Sequence, residues 1–293
     1  CGDVGLRIAQ QLQGHRQLLH PRGPRVLALT SNPEKAPLLL AQGITPLVAN
    51  LDVMHSLRRL RGMAQSVVHM APHPSEGDTY SRTAHLLRVL AQGQGLRCVV
   101  YGSTTGVYGD CHGAWLDETR RTNPSTPRAR RRVDAEQRLL QFGKRRIARV
   151  QLLRIPGIYA PNREGGTPRG RLLKGLPVLQ PQDDVFTNHI HADDLAQIAV
   201  AALWRGKPQR IYHACDDTQL RMGDYFDLAA DLYGLPRPPR ISRQQAQQRL
   251  PPVMLSFMQE SRRLRNQRIK QELRVQLRWP TVTQGLVSAT TRA

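Results

Sequence analysis

Cysteine and long apolar runs are scarce in this chain, and each scarcity argues against one class of protein. The chain has 293 residues and 4 cysteines (Cys1, Cys98, Cys111 and Cys215), none of which forms a Cys-x-x-Cys pair. This spacing disfavours a zinc site and predicts no structural disulfides, as is typical of proteins from a reducing cytoplasm. We therefore expect a cytoplasmic protein without a bound metal.

The sequence also lacks the run of about 18 consecutive apolar residues that a membrane span needs, so we expect no membrane partner. It opens on Cys1-Gly2-Asp3-Val4-Gly5, which is a glycine-rich loop and not a secretory leader. No strand precedes that loop. We therefore expect that the numbered sequence is truncated, or begins from a misplaced start, and that a first strand is missing.

Positive charge is in large excess. Lysine and arginine number 43 against 22 acidic residues, for a formal net charge of +21, and nearly all of the excess is arginine. One interpretation is an anionic partner, such as nucleic acid, a membrane surface or a phosphorylated ligand. The other is arginine-rich codon usage in a GC-rich genome, which the even spread of arginines along the chain favours. Either origin would attract phosphate groups.

The first half alternates strand-like and helix-like segments. The predicted strands are 25–30, 44–49, 67–71, 97–102 and 148–154, and the predicted helices are 4–19, 33–42, 53–61, 79–92 and 128–142. A later helix is predicted over 190–204. This β-α-β rhythm predicts an α/β fold, a Rossmann-type doubly wound parallel sheet with a smaller, partly interleaved C-terminal substrate domain. We predict a nucleotide-binding domain over 1–156, to which 186–204 returns, and a substrate-binding region over 157–293.

The loop formed by Gly2, Asp3, Val4 and Gly5 directly precedes a predicted helix. In dinucleotide folds such glycines let the backbone approach the pyrophosphate, and the helix N-terminus favours its charge. An ordinary turn before a helix would look the same. After the next strand come Thr30, Ser31 and Asn32, with no acid at the place where NAD-binding proteins often carry one. The pattern predicts an NAD(P) site, with NADP slightly preferred and Arg7 as a further source of charge.

Seven segments carry a family resemblance: Gly2-Asp-Val-Gly5, Asn50-Leu-Asp52, His69-Met-Ala-Pro72, Ser103-Thr-Thr-Gly-Val-Tyr-Gly109, Leu116-Asp-Glu118, Arg154-Ile-Pro-Gly-Ile-Tyr159 and Asn188-His-Ile-His-Ala-Asp-Asp-Leu195. Taken together and in this order, they resemble the extended short-chain dehydrogenase/reductase family, also called the NAD-dependent epimerase/dehydratase family. The resemblance covers essentially the whole chain. It implies that Asn50, Leu51, Met70, Ala71, Pro72, Ile155 and Pro156 lie along the cofactor.

The resemblance also implies roles at the active site, and there this chain departs from the family. A Ser or Thr orients the reacting oxygen, which points to Thr104 with Ser103 beside it. The family's catalytic Tyr and the Lys four residues later fall on Arg128 and Arg132. Arginine stays protonated, so Arg128 cannot transfer a proton, whereas Arg132 could still bind the cofactor ribose.

Another side chain could transfer the proton in place of the missing tyrosine. Tyr108, Tyr159, His73 and His112 lie in loops expected near the cofactor, although each is also explained as a hydrogen-bonded loop residue. The arginines of α-helical segment 128–132 could clamp a phosphate or carboxylate, or form a solvated helix face. His189 and His191, with Asp193 and Asp194 after them, could suggest a metal site, but the resemblance explains this segment as a structural connection and helix cap.

Two readings of function therefore stay open. One is an NAD(P)-dependent oxidoreductase, epimerase or dehydratase that acts on a sugar-like or other hydroxyl/carbonyl substrate. The other is a non-catalytic NAD(P)-binding regulator or scaffold. A nucleic-acid binder is suggested by charge alone, and we do not expect that partner. Relatives often dimerise through helices corresponding to 79–92 and 128–142, so the resemblance implies a possible homodimer.

Overall fold

A computed structural model describes residues 1–18, 23–72 and 80–287 of the chain. The helices are α1 (Asp3–Leu18), α2 (Lys35–Ala41), α3 (Ser81–Leu90), α4 (Pro127–Arg146), α5 (Arg169–Leu173), α6 (Ala192–Arg205), α7 (Met222–Tyr233), α8 (Arg243–Arg249), α9 (Pro252–Phe257), α10 (Gln267–Gln271) and α11 (Val282–Val287). Short 3₁₀ helices span Met54–Leu60 and Thr105–Tyr108.

The strands are β1 (Leu27–Thr30), β2 (Thr45–Val48), β3 (Ser66–His69), β4 (Cys98–Thr104), β5 (Trp115–Leu116), β6 (Arg149–Ile155), β7 (Gly157–Tyr159), β8 (Val178–Leu179), β9 (Phe186–Thr187), β10 (His189–His191), β11 (Arg210–His213), β12 (Leu220–Arg221), β13 (Arg240–Ile241) and β14 (Arg263–Leu264). The predicted α/β class is confirmed.

A parallel sheet in the order β11-β6-β4-β3 forms the centre of the molecule. Its two middle strands, β4 and β6, are buried along nearly their whole length, and β6 buries Gln151 and Arg154 among its apolar residues. β1 and β2 form a separate parallel pair, and among the described residues no hydrogen-bonded strand joins that pair to the central sheet. The Cys1 nitrogen donates a hydrogen bond to the Leu29 carbonyl, which places the glycine loop beside β1.

Helices cover both faces of this sheet. On one face Ile8 and Leu12 of α1 share a buried cluster with Leu195 and Ile198 of α6, so the segment around α6 packs with the first half of the chain. On the other face α4 packs through Leu139 with strands β4 and β6. A further cluster, built from Tyr159, Leu172, Val178, Tyr225, Phe226 and Leu286, forms the core of the later part. The domain boundary at 156 stays a prediction.

Two predicted helices differ in the structure. Residues 54–60 form a 3₁₀ helix instead of an α-helix. The helix predicted to begin near Ile190 begins only at Ala192, because residues 189–191 pair with β7 as β10. The side chain of His191 then caps α6 by accepting a hydrogen bond from the Asp193 amide at 3.2 Å. None of the helices among the described residues is long and apolar enough to cross a membrane.

A buried ion pair fastens α4 to the sheet. The Arg154 guanidinium on β6 donates to both carboxylate oxygens of Glu136 on α4, at 3.2 and 2.7 Å, and each side chain is about 5% exposed or less. Glu136 also accepts a hydrogen bond of 2.5 Å from the Ser103 hydroxyl on β4. Arg154 lies 4.7 Å above the Tyr108 ring, and Tyr108 is hydrogen-bonded to His213 on β11. One carboxylate therefore links a helix to two strands.

Removing the charge of Glu136 should destabilise the fold. We expect Glu136→Gln to lower the free energy of unfolding by about 3–5 kcal/mol, because it leaves Arg154 buried without a compensating charge. Urea unfolding at pH 7.5 measures the effect. Asp231→Asn, which breaks the exposed Asp231–Arg237 pair, is the matched control and should give no resolvable change. An equally small effect of both substitutions would contradict a structural role for the buried pair.

Candidate cofactor and substrate site

The carboxyl ends of β3, β4 and β6 lie at one edge of the central sheet, where parallel α/β folds bind ligands. α1 begins directly after Gly2, beside the end of β1. A Cβ placed on Gly2 would meet nothing within 4 Å, so the backbone at the helix N-terminus is open to a ligand. The acid in the first turn, Asp3, is paired with Arg7 and Arg163. This neutralised, open helix start fits the pyrophosphate of a dinucleotide.

The end of β1 offers polar groups but little free charge. The Thr30 hydroxyl and the Asn32 side chain hydrogen-bond within their own turn, and Ser31 is exposed. Arg7, the expected additional cation, instead forms an ion pair with Asp193 and donates to Asn162 at 2.8 Å. Its guanidinium therefore faces α6, and it cannot serve a 2′-phosphate at the end of β1.

The other cofactor residues implied by the family resemblance lie at neighbouring strand ends. Met70 follows β3 and Ile155 ends β6, and they meet across Gly102 of β4. A Cβ on Gly102 would lie 2.5 Å from the Met70 sulfur and 3.2 Å from Ile155 Cδ1, so only glycine permits this close packing. Pro156 follows at the end of β6.

The loops that follow β2 and β3 are held by side chains of α3. The Leu51 carbonyl lies 2.9 Å from the ring of His85, and the Ala71 carbonyl accepts from Tyr80 just before α3. Arg82 donates to the Pro72 carbonyl and also binds Asp52. Asn50 uses its side-chain oxygen to accept the Asp52 amide. These contacts fix the loops but leave their role in cofactor binding a prediction.

The neighbouring hydroxyls at the end of β4 have different environments. Ser103 is 4% exposed and donates its hydrogen to Glu136, so it is directed into the protein. Thr104, on the other face of the strand, accepts the Gly106 amide at 3.3 Å. Its hydroxyl hydrogen is therefore available to a ligand oxygen. Thr104 is suited to orient a substrate, whereas Ser103 positions the strand.

Arg132 occupies the family's lysine position and is mostly buried. Its Nη1 donates to the Tyr101 hydroxyl and to the Gly102 carbonyl, both at 2.8 Å. The guanidinium carbon also lies 5.4 Å from the Tyr80 ring centre and 5.6 Å from that of Tyr101. Arg132 is therefore held as a fixed cation at the end of β4.

Arg128, at the tyrosine position, is exposed and stacks on Phe257 of α9 with 5.2 Å between the guanidinium carbon and the ring centre. Burial and the nearby positive charge of Arg132 lower its pKa. Even so, guanidinium remains protonated in proteins, so this group cannot exchange a proton with a substrate.

The alternative proton donors are poorly placed. Burial raises the pKa of Tyr108 to about 12, and its hydroxyl is held by His213. Tyr159 is 2% exposed and donates to the Thr281 carbonyl in the later part of the chain. His112 is exposed and lies 3.0 Å from the Asp110 carboxylate. His73 lies outside the described residues.

A carboxylate that sequence reasoning missed lies beside Thr104. A Cβ on Gly106 would be 3.6 Å from the Thr104 hydroxyl and 3.9 Å from Glu260 Oε2, so both groups border the same space. Glu260 accepts hydrogen bonds from Ser125 and Arg262, each at 2.8 Å. No sequence motif marks this glutamate, because it follows α9, far along the chain from β4.

The two histidines of β10 pack against aromatic rings. His189 stacks on Tyr225 and His191 on Trp279, with ring centres 4.1 and 3.7 Å apart. Among the described residues, no group of three His, Cys, Asp or Glu side chains could hold a metal ion.

The fold and the strand-end residues define a Rossmann-type protein, and comparison with solved structures agrees. A conserved protein of unknown function from Silicibacter pomeroyi DSS is 31% identical over 100% of this chain and 96% of its own, with a TM-score of 0.79. A UDP-glucose 4-epimerase from Thermotoga maritima, solved with UDP-glucose, has a TM-score of 0.77 at 15% identity and covers 98% and 94% of the two chains.

A dTDP-glucose 4,6-dehydratase double mutant from Streptomyces venezuelae, solved with NAD bound, has a TM-score of 0.75 at 19% identity, over 97% of this chain and 91% of its own. No sequence-family profile matches the chain, and no curated protein is significantly similar. The chain therefore has the fold of the NAD-dependent epimerase/dehydratase group, the extended short-chain dehydrogenases/reductases.

Four buried histidines should make the folded protein less stable in acid. Burial lowers the pKa of His69, His189 and His213 to about 3 and that of His191 to about 4. Between these values and the ordinary histidine pKa of about 6.5, the unfolded chain binds protons that the folded chain does not. Stability should therefore fall as pH drops below about 6.5, by up to roughly 1.4 kcal/mol per pH unit for each histidine.

Asp216 opposes this trend, because burial raises its pKa to about 8 and the folded state then holds the extra proton. Urea unfolding between pH 8 and pH 4.5 should show a net loss of stability on acidification. Asp216→Asn should make that loss steeper, since it removes the opposing group and keeps the oxygen that accepts the Thr218 amide. A flat or rising profile in the wild type would show that these histidines are not kept neutral.

Proposed function

We propose that this protein binds a nicotinamide dinucleotide and acts as an oxidoreductase, epimerase or dehydratase on a sugar-like or other hydroxyl/carbonyl substrate. The observation that carries the proposal is the free hydroxyl hydrogen of Thr104 at the end of β4, with Arg132 fixed beside it. The cofactor would supply hydride transfer when bound. Thr104 would donate to the reacting oxygen, and Arg132 would bind near the cofactor ribose.

The likeness of the fold to structures solved with NAD and the open helix start at Gly2 support a nicotinamide cofactor. Between its two forms we propose NADP, because Thr30, Ser31 and Asn32 carry no acid that would bind the ribose 2′-hydroxyl or repel a 2′-phosphate. Arg7 forms an ion pair with Asp193, so its charge does not contribute to binding a 2′-phosphate. The preference therefore rests on the uncharged strand end.

A second candidate is an NAD(P)-binding regulator or scaffold without turnover. It is favoured by one observation: Arg128 stands where the family has its proton-transfer tyrosine. Under the first candidate, Glu260 is the described carboxylate that borders the space beside Thr104 and could accept a proton there. Oxidation or reduction of bound cofactor by hydroxyl or carbonyl compounds, lost in Thr104→Val, would favour the enzyme over the scaffold.

Calorimetric titration of the full-length protein with NADPH, NADP, NADH and NAD tests the proposal. We expect roughly micromolar binding of one redox pair, with the phosphorylated pair tighter. Tighter binding of NADH and NAD would overturn the NADP preference alone. No binding of any of the four would overturn the proposed function.

Arg132 should contribute to that affinity. We expect Arg132→Gln to weaken cofactor binding about tenfold, the loss of one charge-assisted hydrogen bond, while Arg132→Lys, which restores the family's residue, stays within about threefold. Arg130→Gln removes an equal charge from an exposed residue of the same helix and serves as the control. Equal effects of the Gln variants at 130 and 132 would mean that only net charge matters.

A further inference from the structure

The start of α4 carries positive charge without compensation from its own sequence. Arg128, Arg130 and Arg132 all precede the first acid of the helix, Asp134, and the first turn holds no acidic residue. The N-terminus of a helix already bears a partial positive charge, so cations there are unfavourable. An arrangement of this kind is disfavoured unless an anion binds it.

The nearby carboxylates are already used elsewhere. Asp134 pairs with Arg138, Glu136 with Arg154, and Glu260 with Arg262. Within residues 1–18, 23–72 and 80–287, neither Arg128 nor Arg132 forms an ion pair with an acid. Burial and the positive charge of Arg132 lower the pKa of Arg128. Neither guanidinium group has a carboxylate as a direct ion-pair partner among the described residues, and Glu260 acts on Arg128, and Glu136 on Arg132, only as a nearby charge.

The hydrogen-bonding groups of Arg128 have no partner among the described residues. The guanidinium carbon lies over the Phe257 ring, 5.2 Å from its centre. Such a cation–π contact holds the charge without using any of the five N–H donors of arginine. A guanidinium with unused donors is suited to bind a carboxylate or phosphate through two hydrogen bonds.

Glu260 relates Arg128 to Thr104. Phe257 ends α9, and three residues later the carboxylate of Glu260 borders the same space as the Thr104 hydroxyl. Glu260 also acts electrostatically on Arg128. Arg132 lies one turn further along α4 and binds the carbonyl of Gly102, two residues before Thr104. Thr104 and Arg128 therefore both lie near Glu260.

We propose that Arg128 binds a carboxylate or phosphate group of the substrate next to the carbon that reacts at Thr104, so that the substrates are acidic hydroxyl or carbonyl compounds. This inference rests on the proposed function. The replacement of tyrosine by arginine would then convert a proton-transfer position into a position that selects anions. Arg132 adds positive potential without leaving its contacts to β4.

The test measures anion binding without any cofactor. Thermal unfolding and calorimetry of the full-length protein use inorganic phosphate and D-glucuronate as probes, with D-glucose as the neutral comparison, all at constant ionic strength. The variant is Arg128→Gln. Its matched control is Arg145→Gln, an exposed arginine about 25 Å away at the other end of the same helix, which removes the same charge.

We expect phosphate or glucuronate, but not glucose, to stabilise the wild type and Arg145→Gln, and at least tenfold weaker anion binding in Arg128→Gln. A response to glucuronate alone would assign a carboxylate, and a response to phosphate alone a phosphate group. In anion-free buffer Arg128→Gln should unfold at no lower temperature than the wild type, because it relieves charge repulsion. If Arg128 only stabilised the fold, Arg128→Gln would unfold at a lower temperature than the wild type in that buffer.

Equal anion responses in the variants at 128 and 145 would overturn the inference, as would a response to glucose equal to that to glucuronate. Failure of the proposed function would look different, since cofactor titration reports on it separately. A protein that binds NAD(P) but shows no anion effect at Arg128 would contradict the inference alone. A protein that binds anions at Arg128 but no cofactor would contradict the proposed function alone.

Discussion

The buried pair of Glu136 and Arg154 is the interaction on which the geometry of the site depends. It fixes α4 against β4 and β6 at the level where both strands end, and Ser103 adds a third link through its hydroxyl. Two opposite charges removed from water hold their partners in one arrangement, since any displacement leaves a charge uncompensated. The positions of Thr104 and of the arginines at the start of α4 follow from that attachment.

The side chains at the start of α4, and not its attachment to the sheet, determine the chemistry available there. A tyrosine at position 128 would exchange a proton, whereas arginine carries a permanent charge. The described histidines near the sheet stay neutral because they are buried, so they do not replace a titrating group at neutral pH. The carboxylate of Glu260 is the acid beside Thr104, and Arg262 and Ser125 hold it there.

The sequence predicted the parallel sheet well, because short strand-like segments such as Cys98–Tyr101 alternate with helix-like ones, which is the pattern of a sheet covered on both faces. It could not separate Ser103 from Thr104, since neighbouring strand residues face opposite sides and the sequence does not say which side is the cleft. Glu260 was missed because tertiary folding alone brings it to β4. The helix start at Ala192 was misplaced because pairing of β10 with β7 overrides helical periodicity.

The environment of Arg132 explains why this position need not revert to lysine. Tyr80 and Tyr101 present ring faces to the planar guanidinium, and two hydrogen bonds from a single nitrogen anchor it to β4. An ammonium group has no plane to stack and is more strongly hydrated, so it would gain less from this setting. The two tyrosines and Arg132 therefore form one packed unit that suits a guanidinium at this position.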